Sequence, residues 1–286
     1  MRWLIVLLFL AGGVHAEVRD DYGYEVALKA PARRIVSLSP HLTELLYAAG
    51  AGESVVGALE YSDYPPAARA LPRVGSESGI DLEAVLALRP DLVVAWPNAG
   101  SRRTIERLAA LGLPVFRSEP RELDDIPRTL LRLGVLARTE PAARAAADAF
   151  RARAQGIHRR YSKRPAVRVF YQVWDRPLQT VNGEHVITKV LRLCGGENVF
   201  AALPLIAPEI DREAVLRANP QVIVASGPGG ERPAWLDEWK RFPGLAAAAS
   251  GHLYALPPEL IQRHTPRILE GAERLCELLE RVRARS

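Results

Sequence analysis

Two cysteines, Cys194 and Cys276, are all that this 286-residue sequence contains. They are not spaced Cys-x-x-Cys, which excludes a dithiol redox motif. Catalytic and nucleotide signatures are missing too: no GxGxxG, GxxxxGKS/T, GxSxG or HExxH occupies the expected places after predicted strands. The sequence therefore offers no dinucleotide fingerprint, phosphate cradle, nucleophile elbow or zinc-protease helix. Ser226-Gly-Pro-Gly-Gly230 follows a predicted strand, but its proline and the lack of a following helix signal make it a turn. The six histidines are scattered, with none paired at metal-ligand spacing. His41 and His185 lie near predicted helix starts and His264 follows Arg263; all three read as exposed or structurally hydrogen-bonded. No nucleophile, base and orienting group fall together. The reading is a non-enzyme without catalytic residues, metal or cofactor.

Long Lys/Arg runs are also lacking. The net charge of +5 comes from arginines interspersed with acidic residues, which argues against a nucleic-acid partner and for a solvated surface. Nor is there an apolar run of the roughly twenty residues a membrane-spanning helix needs. Leu4 to Val14 is shorter, follows Arg2 and leads to Val14-His15-Ala16, the pattern of a cleavable secretory signal over residues 1–16. No cysteine follows the cleavage point to carry a lipid, so the mature chain is expected to start near Glu17, free in a bacterial periplasm. In that oxidising compartment Cys194 and Cys276 read as one disulfide, tying the helix before Gly195-Gly196 to the C-terminal helix; two buried free thiols are the alternative.

What is present is a repeat. Asp81-Leu-Glu-Ala-Val-Leu-Ala-Leu-Arg-Pro90-Asp-Leu-Val-Val-Ala95 recurs 130 positions later as Asp211-Arg-Glu-Ala-Val-Leu-Arg-Ala-Asn-Pro220-Gln-Val-Ile-Val-Ala225. Each copy reads as a helix capped by Asp, stopped before Pro, then a short buried strand. Around the first copy the pattern predicts a strand over 35–39, a helix over 41–49 and a strand over 55–58; around the second, a strand over 167–173 and a helix over 185–193. Alternating strands and helices predict two Rossmann-like α/β lobes, residues 17–138 and 163–286, with a ligand cleft between them. Residues 139–162 link them: the Ala- and Arg-rich stretch from Glu140 to about Tyr161 reads as one helix of about 30 Å, with Thr139 as its cap. A helical link of this kind predicts only small closure on ligand binding.

Ligands of such lobes gather at the carboxyl ends of the strands. The loops there carry Tyr61 and Tyr64, Trp96 directly after Ala95, Trp174 after Val173, and Glu259 and Arg263 after the predicted strand ending at Ala255. Flat apolar faces with a few directional polar groups suit a large, rigid, partly apolar ligand. Tyr64, beside its prolines, is expected to pack under its loop.

Arg34-Ile-Val-Ser-Leu-Ser-Pro-His-Leu-Thr-Glu44, Tyr61-Ser-Asp-Tyr-Pro-Pro66, the stretch Asp81 to Trp96, Cys194-Gly-Gly-Glu-Asn-Val-Phe200 and Arg263 to Arg267 together resemble the periplasmic cobalamin-binding proteins of ABC importers. The resemblance covers essentially the whole mature chain. It implies aromatic residues embracing a corrin ring, with Tyr61, Trp96 and Arg263 on matching positions. Where relatives place further aromatics, this chain has Glu77, Gln179 and Ala207, and Glu259 stands where an Asp is familiar; Trp174 is the substitute ring. The resemblance further implies that Glu83 and Glu213 dock a permease dimer with its ATPase subunits, although an acidic residue is favoured in any first helical turn by the N-terminal partial charge. A monomer capturing cobalamin or a related corrinoid is expected. Haem or a ferric siderophore is the alternative cargo, and a metal- or cofactor-bearing enzyme on the same plan the alternative class.

Overall fold

A computed structural model describes residues 16–76, 79–98, 100–227 and 231–284. The expected signal peptide, save for Ala16, lies outside them, as do Glu77 and the end of the Ser226–Gly230 turn. The chain divides into two compact units, one running to Glu119 and including Arg132–Pro141, the other comprising Pro120–Leu131 and everything from Ala142.

The first unit opens with an antiparallel hairpin of β1 (Ala16–Arg19) and β2 (Glu25–Leu28). Asp20 turns it, accepting the backbone N–H groups of Tyr22 and Tyr24 on Oδ1, both at 2.9 Å. β3 (Ile35–Leu38), α1 (Pro40–Ala48) and β4 (Val55–Ala58) follow, then the short antiparallel pair β5 (Gly75–Ser76) and β6 (Gly79–Ile80). α2 (Leu82–Ala87), β7 (Leu92–Ala95), α3 (Arg102–Ala110) and β8 (Val115–Arg117) complete the strands of this unit. Its sheet is wholly parallel in the order β4-β3-β7-β8. The two central strands are buried on both faces, as continuous Ile/Val/Leu runs require. Val36, Leu38, Val93 and Ala95 meet Val85 of α2 and Ile105 and Leu108 of α3 in one core.

α4 (Asp125–Ala137) and α5 (Glu140–Tyr161) come next. α5 has the length read from sequence, but Thr139 does not cap it: its hydroxyl is buried with no hydrogen-bond partner.

The second unit repeats the plan. β9 (Val167–Gln172), α6 (Val186–Leu193), β10 (Gly196–Asn198), α7 (Arg212–Ala218), β11 (Val222–Ala225), α8 (Ala246–Ala249), β12 (Leu253–Ala255), α9 (Pro258–Ile261) and α10 (Ile268–Arg283) build a parallel sheet in the order β10-β9-β11-β12 with its helices. Phe170, Ile223, Val215 and Trp239 share its core. Cys194, at the end of α6, is disulfide-bonded to Cys276 of α10 across 82 residues, so the paired reading of the cysteines is the one the structure takes. Among the described residues no helix is long and apolar enough to cross a membrane.

The repeat is legible atom by atom. Asp81 accepts the Ala84 N–H at 2.9 Å and Asp211 the Ala214 N–H at 2.6 Å. Val85 and Val215, four residues on from each cap, are completely buried. Each cap fixes where its helix starts, and each valine fixes which face turns inward.

Candidate ligand loops and docking helices

In the first unit a buried hydroxyl cluster sits where β3 ends. The Thr43 hydroxyl lies 2.9 Å from Ser37 Oγ, 3.1 Å from Ser62 Oγ and 3.2 Å from the Ser39 carbonyl. Ser37, Ser39, Thr43 and Ser62 are all buried, and their mutual bonds are what make that burial tolerable. The cluster pins the loop after β4, whose backbone is further held by Glu60 N–H to the Gly75 carbonyl (2.9 Å) and Ser62 N–H to the Leu59 carbonyl (3.3 Å). Gly75 itself, at φ +110°, admits no side chain: a Cβ there would lie 2.3 Å from the Gly79 carbonyl.

Tyr61 rides on this clamped loop. Its backbone is left-handed, φ +62°, and the residue is 74% exposed. A bulky residue pays about 1–2 kcal/mol for that conformation, and exposing the ring forgoes burial energy as well. Tyr64 is 42% exposed, so it does not tuck under the loop as its prolines suggested; the buried positions there go to Ser62 and Ala68 instead. Trp96 leaves β7 half-buried, its carbonyl accepting the Asn98 N–H (2.9 Å) and the Ser101 hydroxyl (2.8 Å). The His41 ring meets it edge to face, centroids 5.8 Å apart, while His41 Nδ1 lies 2.6 Å from Ser39 Oγ. His41 thus has a structural job under Trp96.

The second unit carries its own set. Beyond β9 the chain turns back between Trp174 and Gln179, closed by Val173 N–H to the Gln179 carbonyl (2.9 Å) and Gln179 N–H to the Trp174 carbonyl (3.1 Å). The Trp174 indole N–H donates to the Arg176 carbonyl at 3.1 Å and the residue is 48% exposed. Gln179 also bridges to Glu209, and Ile210 N–H reaches the Leu178 carbonyl at 2.9 Å. This pairing brings Ala207 alongside, with Leu205 and Ile206 exposed at 66% and 59%. Sequence reasoning passed over those two aliphatics. Their signal was available, since Leu-Pro-Leu-Ile-Ala-Pro has apolar residues without helical or strand period between two prolines.

A second buried polar cluster joins the ends of β9, β11 and β12. Tyr171 Oη lies 2.5 Å from Ser226 Oγ, the Ser226 hydroxyl bonds the Leu256 carbonyl at 3.0 Å, and Gln262 also bonds Tyr171. Burial pushes the Tyr171 phenol up to about 12, so it stays neutral. α9 presents Glu259 in its only turn, half-buried, and Arg263 follows Gln262, also half-buried. Next to Arg263, burial and the proximity of His185 push His264 down to about 4. His185 caps α6, its Nδ1 accepting the Ile187 N–H at 3.2 Å, and burial lowers it to about 4 as well. Both imidazoles are neutral at pH 7. No group of three or more His, Cys, Asp or Glu suited to a metal ion occurs among the described residues.

Glu83 and Glu213 stand at the second position of α2 and α7, both exposed. Among the described residues neither carboxylate has an ion pair or hydrogen bond. In each unit, then, the outward acid of the repeat and the exposed rings are held by different parts of one small α/β scaffold.

A family model described as periplasmic binding protein matches residues 35–260. The vitamin B12-binding protein of Yersinia pestis (strain Pestoides F) is 38% identical over 251 residues, 88% of either chain. The crystal structure of the periplasmic vitamin B12 binding protein of Vibrio cholerae superposes with a TM-score of 0.81 at 36% identity, covering 88% of this chain and 98% of that one. A periplasmic heme binding protein from Pseudomonas aeruginosa superposes with a TM-score of 0.74 at 27% identity over 86% and 91%. The chain belongs to the periplasmic binding protein family.

Proposed function

We propose that this protein captures cobalamin or a related corrinoid in the periplasm and hands it to an ABC permease, without turning it over. The observation that carries the reading is Tyr61: a large aromatic residue held 74% exposed on a left-handed backbone position, a cost that a ligand's flat face offsets. Trp96, supported by His41, and Trp174, closed onto its own turn, are the further rings. Gln179, Glu259 and Arg263 supply directional contacts to the amide and phosphate groups of a corrinoid. The identity to two vitamin B12-binding proteins supports this cargo over others.

Docking falls to Glu83 and Glu213, which are exposed and without partners in matching frames of the repeat. Two acids set on like scaffolds suit a permease dimer with its ATPase subunits, whose symmetry supplies two basic pockets. Release then requires only that the docked complex prefer a different arrangement from the ligand-bound free protein.

Titrating the purified mature protein with cobalamin, cobinamide, haemin and a ferric siderophore, followed by absorbance and tryptophan quenching, tests the cargo. Saturable binding of a corrinoid but not of haemin is the expected result. Saturation by haemin alone would overturn it in favour of the haem reading.

A further inference from the structure

The two copies of the repeat differ at one position in their first helical turn. Leu82, partly buried against the first unit's core, stands where the second copy has Arg212. Arg212 lies between the capping Asp211 and Glu213 and reaches toward the Trp174 turn. Its Nη2 is 2.5 Å from Glu238 Oε2 and 4.0 Å from Asp175 Oδ1. Arg176 closes the ring, with Nη2 3.2 Å from Glu238 Oε1 and Nε 3.1 Å from Asp175 Oδ2. Two cations and two anions therefore join three pieces of chain: the turn that carries Trp174, the start of α7, and the 3-10 helix Ala234–Arg241 that carries Glu238.

Glu238 is a fixed post. The next residue, Trp239, is buried in the core against Phe170 and donates its indole N–H to Gln172 Oε1 at 2.8 Å, at the end of β9. The other two pieces are tied by backbone pairing between Ile210 and Leu178. Asp175 is nearly buried, with a side chain 14% exposed, and Glu238 is at 26%, whereas Arg212 is at 42%. Arg212 adjoins Glu213 in the first turn of α7, so a cationic group that docks at Glu213 comes within one helical turn of it. Such a group repels the Arg212 guanidinium and competes with it for Glu238 and Asp175.

We propose that Arg212 is a positioning residue that couples the docking helix to the Trp174 turn. In the free protein it draws Asp175 and Glu238 together and holds the turn in its ligand-ready form; basic groups of a docking partner displace it and loosen the turn. The coupling runs through the second copy only, because Leu82 has no charge to displace. This rests on the proposed roles of Trp174 and Glu213 and adds the link between them.

Thermodynamic reciprocity supplies the measurement. If docking loosens the ligand, bound ligand weakens docking by the same factor. The cobalamin Kd is measured with and without saturating nucleotide-free permease complex in nanodiscs, for the unmodified protein and for Arg212→Gln and Glu238→Gln. The two variants remove the link from opposite sides, so a folding defect in one leaves the other informative. The expected result is a coupling factor of about fivefold or more in the unmodified protein, falling toward one in both variants, together with weaker cobalamin binding by each variant alone. A factor of one in the unmodified protein overturns the proposal, as does a factor that both variants preserve. Trp174→Ala and Glu213→Lys, measured alongside, separate the two layers. If they weaken ligand and docking respectively while Arg212→Gln keeps the full factor, only the coupling is wrong; if neither has an effect, the underlying reading and the coupling fall together.

Discussion

His41 packs against Trp96 edge to face, ring centroids 5.8 Å apart, and Ser39 Oγ in turn holds the His41 ring through Nδ1 at 2.6 Å. An aromatic pair of this geometry contributes about 0.5–1.5 kcal/mol beyond burial. His41→Ala is therefore expected to weaken corrinoid binding by about 2- to 10-fold through Trp96, with the far-ultraviolet circular dichroism unchanged. Isothermal titration checks it. His41→Phe, which keeps an aromatic edge, should restore most of the affinity; if it restores none while His41→Ala is weak, the ring contact is not what supports Trp96.

Tyr61 should separate stability from affinity. Glycine adopts φ +62° without the strain that Tyr61 bears there, so Tyr61→Gly is expected to raise the unfolding free energy by up to about 1 kcal/mol or leave it level, while ligand affinity falls by about tenfold. Tyr61→Ala keeps a Cβ and should lose affinity without that gain. Urea melts and ligand titrations on the two variants give the comparison. Parallel loss of stability and affinity in Tyr61→Gly would mean that the ring is a structural prop.

Those two residues show how far the sequence reaches. Asp81 and Asp211 cap their helices as read because an N-cap is a local device, and the Val85 and Val215 faces follow from period alone. Trp96 and Trp174 were legible as residues following strands. Thr139 failed as a cap because nothing in the sequence tells whether a hydroxyl points at its own helix or into the interior. The strain at Tyr61 and the edge-to-face contact of His41 with Trp96 depend on contacts between segments far apart in the chain. The ring around Glu238 is of the same kind: Asp175, Arg212 and Glu238 are ordinary surface charges until the fold brings them together.

His185 and His264 predict a pH dependence. Both have folded values of about 4 against 6.5 when unfolded. The unfolded chain therefore binds more protons between those values, and the folded state loses stability as pH falls from about 6.5 toward 4, with the full contribution present above 6.5. Because both rings keep some solvent contact, the combined loss is expected to be about 1–3 kcal/mol. The urea midpoint at pH 7.5 and at pH 4.5 measures it. A His185→Asn, His264→Asn double variant, in which Asn retains the capping acceptor for α6, should flatten the difference by at least half; an unchanged slope would place the titrating groups elsewhere.

Gly271 gives a prediction whose sign opposes helix propensity. It lies inside α10, where alanine would ordinarily be favoured by about 1 kcal/mol. Here a Cβ would stand 2.0 Å from the Leu260 carbonyl of α9, and backbone cannot swing aside as a side-chain tip can. Overpacking of this kind costs about 1–3 kcal/mol, so Gly271→Ala is expected to be destabilising despite its better propensity. The push also falls on α9, which carries Glu259 and leads through Gln262 to Arg263. Ligand affinity should therefore drop with stability, and the hydrogen-exchange protection of Leu260 and Ile261 amides should fall before that of the rest of α10. A neutral or stabilising Gly271→Ala, with affinity intact, would show that α9 gives way without consequence and that its position does not matter to the ligand.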